Sequence, residues 1–524
     1  MVKGCIGMWP IIGSLVGLAI ALLVAACGGG SGGPSLGPGP SGLKDGLPEF
    51  DITATTWNGY WYSRYNLGNL AMMSGLGVPF MPDMKDVQAM VMAVDQGPAE
   101  GEHVAMPKNA ALLKAVYAGG SPALVNGFDG DPMNLANWRW DTNRMDTTIT
   151  TSAQAQTIIK EVEWAKLFNN ASWAGKVTDN FGAMDRFKGV ALFAEAKMQV
   201  QFALSEMLNS EGLFVAGIRH LDGKTTVVDG TAKPADQFQM LQALADLHHV
   251  LHNPEAYNGV YADEAFHQVV TQAADDLFRR LSPQRPEGLR ELSLGAQALV
   301  WYAAITHDAG LQQRALDQLR AYGELLVKAP RKDAIDRAVA VRGLVEAGRV
   351  LGDDKYLKAA AKDFQEMASD YHAALGYFRS KSKLTIWEVG DVIGALNALS
   401  RHGRPEVDTA KVTPILVGFF EAAVNRSGLM QAAPPKEMEA SPFELKRVSN
   451  PMWFAYPTIP TPDKAGLAPV DASEIAMDEQ AGRWVVTNGY YDTAGSMHAS
   501  NEQNWLFGVV NGFPEVRPVV AKAP

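Results

Sequence analysis

Cysteine is nearly missing from this 524-residue chain: there are two, Cys5 and Cys27, and both stand within the first 27 residues. The body beyond them therefore has no disulfide, no thiolate metal site, no cysteine nucleophile and no haem-attachment motif. An excess of basic charge is missing too. Lys and Arg number 46 against 57 Asp and Glu, for a formal net charge of −11. A nucleic-acid partner, whose phosphates require a basic face, is not expected. Outside the Gly/Ser/Pro-rich stretch Gly28–Gly42 the sequence also lacks G-x-S-x-G and G-x-G-x-x-G, and it has no P-loop or EF-hand loop; Asp129-Gly130-Asp131 reads as a turn. Core-forming residues are not lacking. Hydrophobic residues make up 47% and charged residues 20%, an ordinary globular balance. The length exceeds what one compact core usually fills, so one large repeat domain or about two to three smaller ones are expected.

At the N-terminus, Lys3 precedes an apolar run from Ile11 to Ala26 that ends in small residues. The run is short and early for a spanning helix and has the order of an export signal. Its end, Leu23-Val24-Ala25-Ala26-Cys27, resembles a bacterial lipobox. That resemblance implies a signal peptide over 1–27 and a lipoprotein in which Cys27 carries acyl chains such as palmitate and anchors the chain to a membrane. Gly28 to Gly42 is almost entirely Gly, Ser and Pro, a flexible tether assigned to 28–48. Gly28 stands where an acidic inner-membrane retention signal would often be found. The expected location is the cell envelope, as an outer-membrane lipoprotein facing the periplasm or the surface.

Residues 49–180 form an aromatic and Met-rich segment containing Trp57, Tyr60, Trp61, Tyr62 and Tyr65. Helices are predicted near 57–74, 83–95 and 109–118, with loops at Gly75–Pro82 and Gly97–Pro107 and an aromatic loop around Trp138, Trp140 and Asp141. A capped helix is predicted after Ser152, with Ile158, Ile159, Val162 and Phe168 on one face. A long helix over about Met184–Leu208 opens a helical-hairpin domain assigned to 181–427. Phe214–Ile218 and Thr225–Val228 alternate around Asp222-Gly223, a β-hairpin signal. Helical hairpins follow at about 236–281, 291–328, 333–374 and 386–425. Leu299, Ile305, Asp308, Leu311, Ala315 and Leu319 recur as Leu344, Val350, Asp353, Tyr356, Ala360 and Phe364, a constant shift of about 45 residues that marks an α-repeat. One such hairpin cannot bury its apolar stripe alone, so its neighbours must supply the other wall. Residues 428–524 are expected to form an irregular strap, a small hairpin (Trp484–Thr487, Asn488-Gly489, Tyr490–Thr493) and a last helix around Trp505, with Ser500 and Gln503 as a capping box.

The fold class expected is therefore mainly α, an α/α toroid or helical-hairpin array with small β hairpins. Hairpins of this length, from about Arg186 to Arg426, resemble the α/α toroids of many carbohydrate-active enzymes. The resemblance implies an active site in the central funnel, with carboxylates at the mouths of inner helices and aromatic rings against sugars. Carried over residue by residue, it makes Glu388, Asp391 and Asp336 the candidate catalytic residues and Trp57, Trp61 and Trp387 the candidate ligand-binding rings; Glu291 is a further carboxylate at a helix start. Paired carboxyls suit glycosidic cleavage, one donating a proton to the leaving oxygen while the other acts as base or nucleophile. Thr385 with Glu388 is also a capping box, in which Glu is favoured whatever the function.

Two further patterns point to metals. His248, His249 and His252 place two imidazoles one helical turn apart, but the glutamate of H-E-x-x-H is replaced by His249. Met81-x-x-Met84 and His103-x-x-Met106 offer thioethers and an imidazole, donors suited to Cu(I), although methionine also fills helical cores. No cofactor is named by any motif. The function expected first is an envelope-anchored binding or accessory lipoprotein with a glycan or protein partner. The alternatives are a glycoside hydrolase or polysaccharide lyase of toroid type and, third, a copper-handling lipoprotein.

Overall fold

A computed structural model describes parts of residues 50–80, then 111–127, 137–171, 183–430 and 470–511. Its helices are α1 (Thr151–Asn169), α2 (Ala183–Glu206), α3 (Pro234–His252), α4 (Glu264–Leu281), α5 (Leu289–Ile305), α6 (Ala309–Lys328), α7 (Ala334–Leu351), α8 (Asp354–Asp370), α9 (Ile386–His402), α10 (Thr409–Phe419) and α11 (Thr493–Asn511). None among the described residues is long and apolar enough to cross a membrane.

The odd-numbered helices make a closed ring. α1 packs on α3, α3 on α5, α5 on α7, α7 on α9, α9 on α11, and α11 returns to α1. Each of the first five carries the next helix in sequence on its outer side. Two burial patterns separate the layers. The outer helix α6 buries one stripe, Leu311, Ala315, Leu319, Tyr322 and Leu326, and leaves the rest to solvent; this is the spacing of an amphipathic surface helix. The inner helices α5, α7 and α9 are buried on nearly every side. The fold is an α/α toroid.

The repeat read from the sequence occupies equivalent places. Asp308 and Asp353 are the N-caps of α6 and α8, each accepting from backbone N–H groups of the first turn, which satisfies donors that have no intrahelical partner. Leu311 and Tyr356, Ala315 and Ala360, and Leu319 and Phe364 are all buried. Where Tyr356 meets α6 the residue is Gly323, and a Cβ there would stand 2.6 Å from the ring.

The ring is wider than 181–427, since α1 precedes those residues and α11 follows them. Helical turns within 52–67 lean on both: Ser63 Oγ accepts from Trp164 of α1 at 3.0 Å, and Lys160 of α1 contacts both Ser63 and Ser500 of α11. Small antiparallel sheets cluster at the helix starts. In chain order the strands are β1 (Gly77–Phe80), β2 (Leu112–Val116), β3 (Gly119–Gly120), β4 (Leu124–Asn126), β5 (Trp138–Trp140), β6 (Met145–Asp146), β7 (Thr148–Thr150), β8 (Gly217–Leu221), β9 (Lys224–Asp229), β10 (Tyr371–His372), β11 (Tyr377–Phe378), β12 (Lys383–Thr385), β13 (Glu474–Asp478), β14 (Arg483–Asn488) and β15 (Tyr491–Asp492). β7, β12 and β15 lead directly into α1, α9 and α11.

Several local expectations change. The described part of 109–118 is not helical: Leu112–Val116 is β2, paired with β1 from the expected loop at 75–82. A short apolar run does not distinguish the two states, and pairing decides it. The aromatic loop contains β5, paired with β4. The C-terminal hairpin turns at 479–482, not at Asn488-Gly489, because β14 pairs back with β13 while Tyr491 and Asp492 pair with Gly120 and Gly119. That pairing needs glycine, since a Cβ on Gly119 would stand 2.0 Å from the Tyr491 carbonyl oxygen. Ser500 caps nothing, because α11 begins at Thr493. The β8–β9 hairpin stands where expected, with Asp222 and Gly223 at φ 50° and 73° in its turn. Residues 431–469 of the strap expected over 428–482, and the helix expected at 83–95, lie outside the described residues.

Candidate functional site

The inner helices start at one end of the ring, and three of the carboxylates singled out above repeat a single device there. Glu291, Asp336 and Glu388 are each the third residue of α5, α7 and α9. Each turns back to a backbone N–H just ahead of its helix: Glu287 to Glu291 Oε2 at 3.1 Å, Lys332 to Asp336 Oδ2 at 2.9 Å, and Thr385 to Glu388 Oε2 at 2.8 Å. This is a capping function, reinforced by the helix dipole. Glu388 also pairs with Lys381 at 2.9 Å, and Glu388 holds the Lys381 ammonium above its usual range.

Asp391 differs. It lies one turn deeper in α9 and is 9% exposed. Arg290 of α5 grips it bidentately, Nη1 to Oδ1 at 3.1 Å and Nη2 to Oδ2 at 2.5 Å. His498 of α11 completes the group, its Nε2 3.2 Å from Asp391 Oδ1. Burial by itself would raise the Asp391 pKa, but the charge of Arg290 and the contacts of His498 and Arg290 outweigh it and hold the carboxyl below the ordinary carboxylate value. Asp391 is thus an anion, which assigns the His498 Nε2 as the donor.

Trp387, half-buried at the start of α9, covers this group. Its ring stacks on His498 with centroids 4.5 Å apart and planes 25° apart, and the Arg290 guanidinium carbon sits 5.7 Å from its centroid. Asp492, the residue that enters α11, lies beside the Trp387 side chain. Burial raises the Asp492 pKa against the opposing bonds from Gly495, Ala494 and Trp387. Two carboxyls beside one indole are therefore pushed in opposite directions, Asp391 down and Asp492 up, the pattern that separates an acid from a base within one site. Close helix packing sets the geometry: a Cβ on Gly390 would be 2.9 Å from Ala499 Cα and 2.7 Å from His498 Cδ2.

Deeper in the ring the inner helices turn buried ion pairs toward one another. Arg342 Nη1 donates to Glu346 at 2.6 Å and its Nε to Glu502 at 3.3 Å, while Arg349 reaches Glu346 at 2.8 Å. Lys166 bonds Glu163 and Asp246, each at 2.6 Å. Buried charges need partners of this kind.

Of the residues expected from the sequence, Glu388, Asp391, Asp336 and Trp387 thus lie at the helix-start end. Trp57, Trp61, His103, Met81, Met84, Met106 and Cys27 lie outside the described residues. Arg290, His498 and Asp492 carry no motif. The available signal was the pattern of one inner-helix start every 45 to 55 residues from α3 to α9, and it breaks at both ends of the array, before α3 and before α11.

No protein-family model and no curated protein matches the chain. Solved structures similar to it include the cellulase Cel9M of C. cellulolyticum, with TM-score 0.47 and 10% identity over 88% of this chain and 99% of that one. A sugar epimerase from a ruminal bacterium has TM-score 0.40 and 11% identity over 70% and 87%. A D-mannose isomerase has TM-score 0.38 and 10% identity over 64% and 85%. These likenesses are in the course of the chain, and no residue role is carried over from them.

Proposed function

We propose that this chain is a carbohydrate-active enzyme working by general acid–base catalysis at the helix-start end of the toroid. One observation carries the reading: His498 is held by an Arg290–Asp391 ion pair beneath Trp387, with Asp492 beside the same indole. An imidazole with its proton fixed on one nitrogen is a base on the other, and a carboxyl whose pKa is raised by burial holds its proton to higher pH and is the better placed acid. The indole offers an apolar face of the kind that packs against a sugar ring.

Asp391 has its oxygens engaged by Arg290 and His498, so it serves here as a positioning residue and not as a nucleophile. That favours elimination over displacement, the lyase form of the proposal. His498 Nδ1 takes a proton from a sugar carbon next to a carboxyl group, that electron pair forms a C=C bond as the neighbouring C–O bond breaks, and Asp492 gives its proton to the leaving oxygen. Solvent then restores both groups. The lipid anchor at Cys27 belongs to the same proposal and would keep the enzyme on the outer membrane beside its glycan.

The test is turnover of a panel of neutral and uronic-acid polysaccharides by the chain from Cys27 onward. Release of unsaturated products by the wild type and their loss in His498→Ala and Asp492→Asn support the reading. New reducing ends without unsaturation would mean hydrolysis, contradicting the elimination step. Binding with no turnover of any glycan would contradict the enzyme and favour the accessory lipoprotein.

A further inference from the structure

Four histidines meet at the opposite end of the ring. His248 and His252 close α3, His267 lies in the first turn of α4, and His307 is in the link from α5 to α6. α5 separates this end from Arg290 by about 25 Å at 1.5 Å per residue. Ring centroids are 4.4 Å apart for His248 and His267, 4.6 Å for His252 and His307, and 5.5 Å for His252 and His267. His248 lies 5.8 Å from His252 and 5.9 Å from His307. The acid–base group described above uses none of them.

Capping does not account for the convergence. His248 is fully buried with its Nδ1 lacking a hydrogen-bond partner, while its Nε2 sits 3.0 Å from Nε2 of His267. Two such nitrogens share one proton. Burial first, then the neighbouring imidazoles, pushes the His248 pKa down to about 3, and burial with His307 and His267 lowers His252. A neutral imidazole is the form that ligates metals.

Four imidazole nitrogens about 2.0–2.1 Å from one ion in tetrahedral array lie about 3.3–3.4 Å from one another, with ring centroids about 5.2 Å apart. Five of the six centroid separations, 4.4–5.9 Å, bracket that value. Among the described residues no three donors have yet converged at coordinating distance. The His248–His267 pair must open by about 0.3–0.4 Å as an ion takes the place of the shared proton. We infer that His248, His252, His267 and His307 form a binding site for a borderline divalent transition ion, zinc foremost. An all-imidazole donor set suits zinc and its neighbours and not calcium or magnesium, which take oxygen ligands. His252 and His307 are exposed, so the ion has a path from solvent. Glu264, 3.8 Å from His267 Nδ1, is placed as the carboxylate that orients a ligating imidazole. The ion would tie α3 and α4 to the next hairpin.

The test uses the chain from Cys27 onward without a histidine tag, stripped with chelator and titrated with Zn2+ and with Co2+. The expected result is one ion per chain, ligand-field absorption bands with Co2+, and a higher Tm. His252→Ala combined with His307→Ala, both at exposed positions, should weaken binding by about 100-fold or more, beyond the about 10–100-fold typical of losing a second-shell partner. His249→Ala should leave affinity unchanged, because His249 faces Asn253 and Lys166. Absence of uptake by the wild type, or equal affinity in the double variant, would overturn the inference.

Discussion

Arg290 and Asp391 pair across an intervening helix: they belong to α5 and α9, and α7 stands between those two in the ring. The pair is a strut across the helix-start end as well as the support for His498. Arg290→Gln and Asp391→Asn should each lower stability by about 1–3 kcal/mol. The double variant should cost less than their sum by about 0.5–3 kcal/mol. Denaturant unfolding of the four proteins measures this, and strict additivity would mean that the pair is not formed in solution.

The same pair sets one arm of the pH dependence. Asp391 has a folded pKa below its unfolded value of about 3.9, so its contribution is present above that pH and is lost as pH falls through the folded value. Asp391→Asn should therefore flatten the acid limb of a plot of Tm against pH. Asp492 has the opposite sign. Its folded pKa is raised, so its contribution is full below about pH 3.9 and is lost as pH rises through the folded value. Asp492→Asn should remove that decline, and turnover by the wild type should fall over the same pH interval as the acid is lost.

Gly390 controls how close α9 and α11 come beside His498. Gly390→Ala places a methyl within 2.9 Å of the α11 backbone, so the helices must part. The expected result is a loss of turnover of about 100-fold or more, the scale of displacement by about 1 Å in a positioned group, with Trp387 fluorescence also changed. Unaltered turnover would show that His498 does not need its present position.

Glu346 is the shared anion of Arg342 and Arg349 in the ring interior. Glu346→Ala removes an anion shared by the buried Arg342 and the half-buried Arg349, breaking two ion pairs in the ring interior, and should destabilise the protein by about 3–5 kcal/mol. Glu388→Gln, at a partly exposed cap, should cost only about 0.5–2 kcal/mol. Thermal denaturation of the two variants side by side checks the order.

Much of the architecture was legible because helical repeats write their period into the chain. Leu311, Ala315 and Leu319 return as Tyr356, Ala360 and Phe364, and the N-caps Asp308 and Asp353 keep step. The closure of the ring was not legible. α11 is entered through Tyr491 and Asp492, whose partners Gly119 and Gly120 lie more than 370 residues away, and a hairpin period gives no hint of such a pairing. The site was half legible for a related reason. Carboxylates at helix starts stand out in sequence, but Glu291, Asp336 and Glu388 stand out because they cap. Arg290 and His498 have their geometry only once α5 and α11 face Asp391.

The most direct test is a crystal structure of the chain with a bound oligosaccharide, using Asp492→Asn to stop turnover. The account predicts a sugar ring lying on Trp387, with oxygens in hydrogen-bond reach of residue 492 and His498. A saccharide bound elsewhere, with Trp387 and His498 untouched, would contradict it.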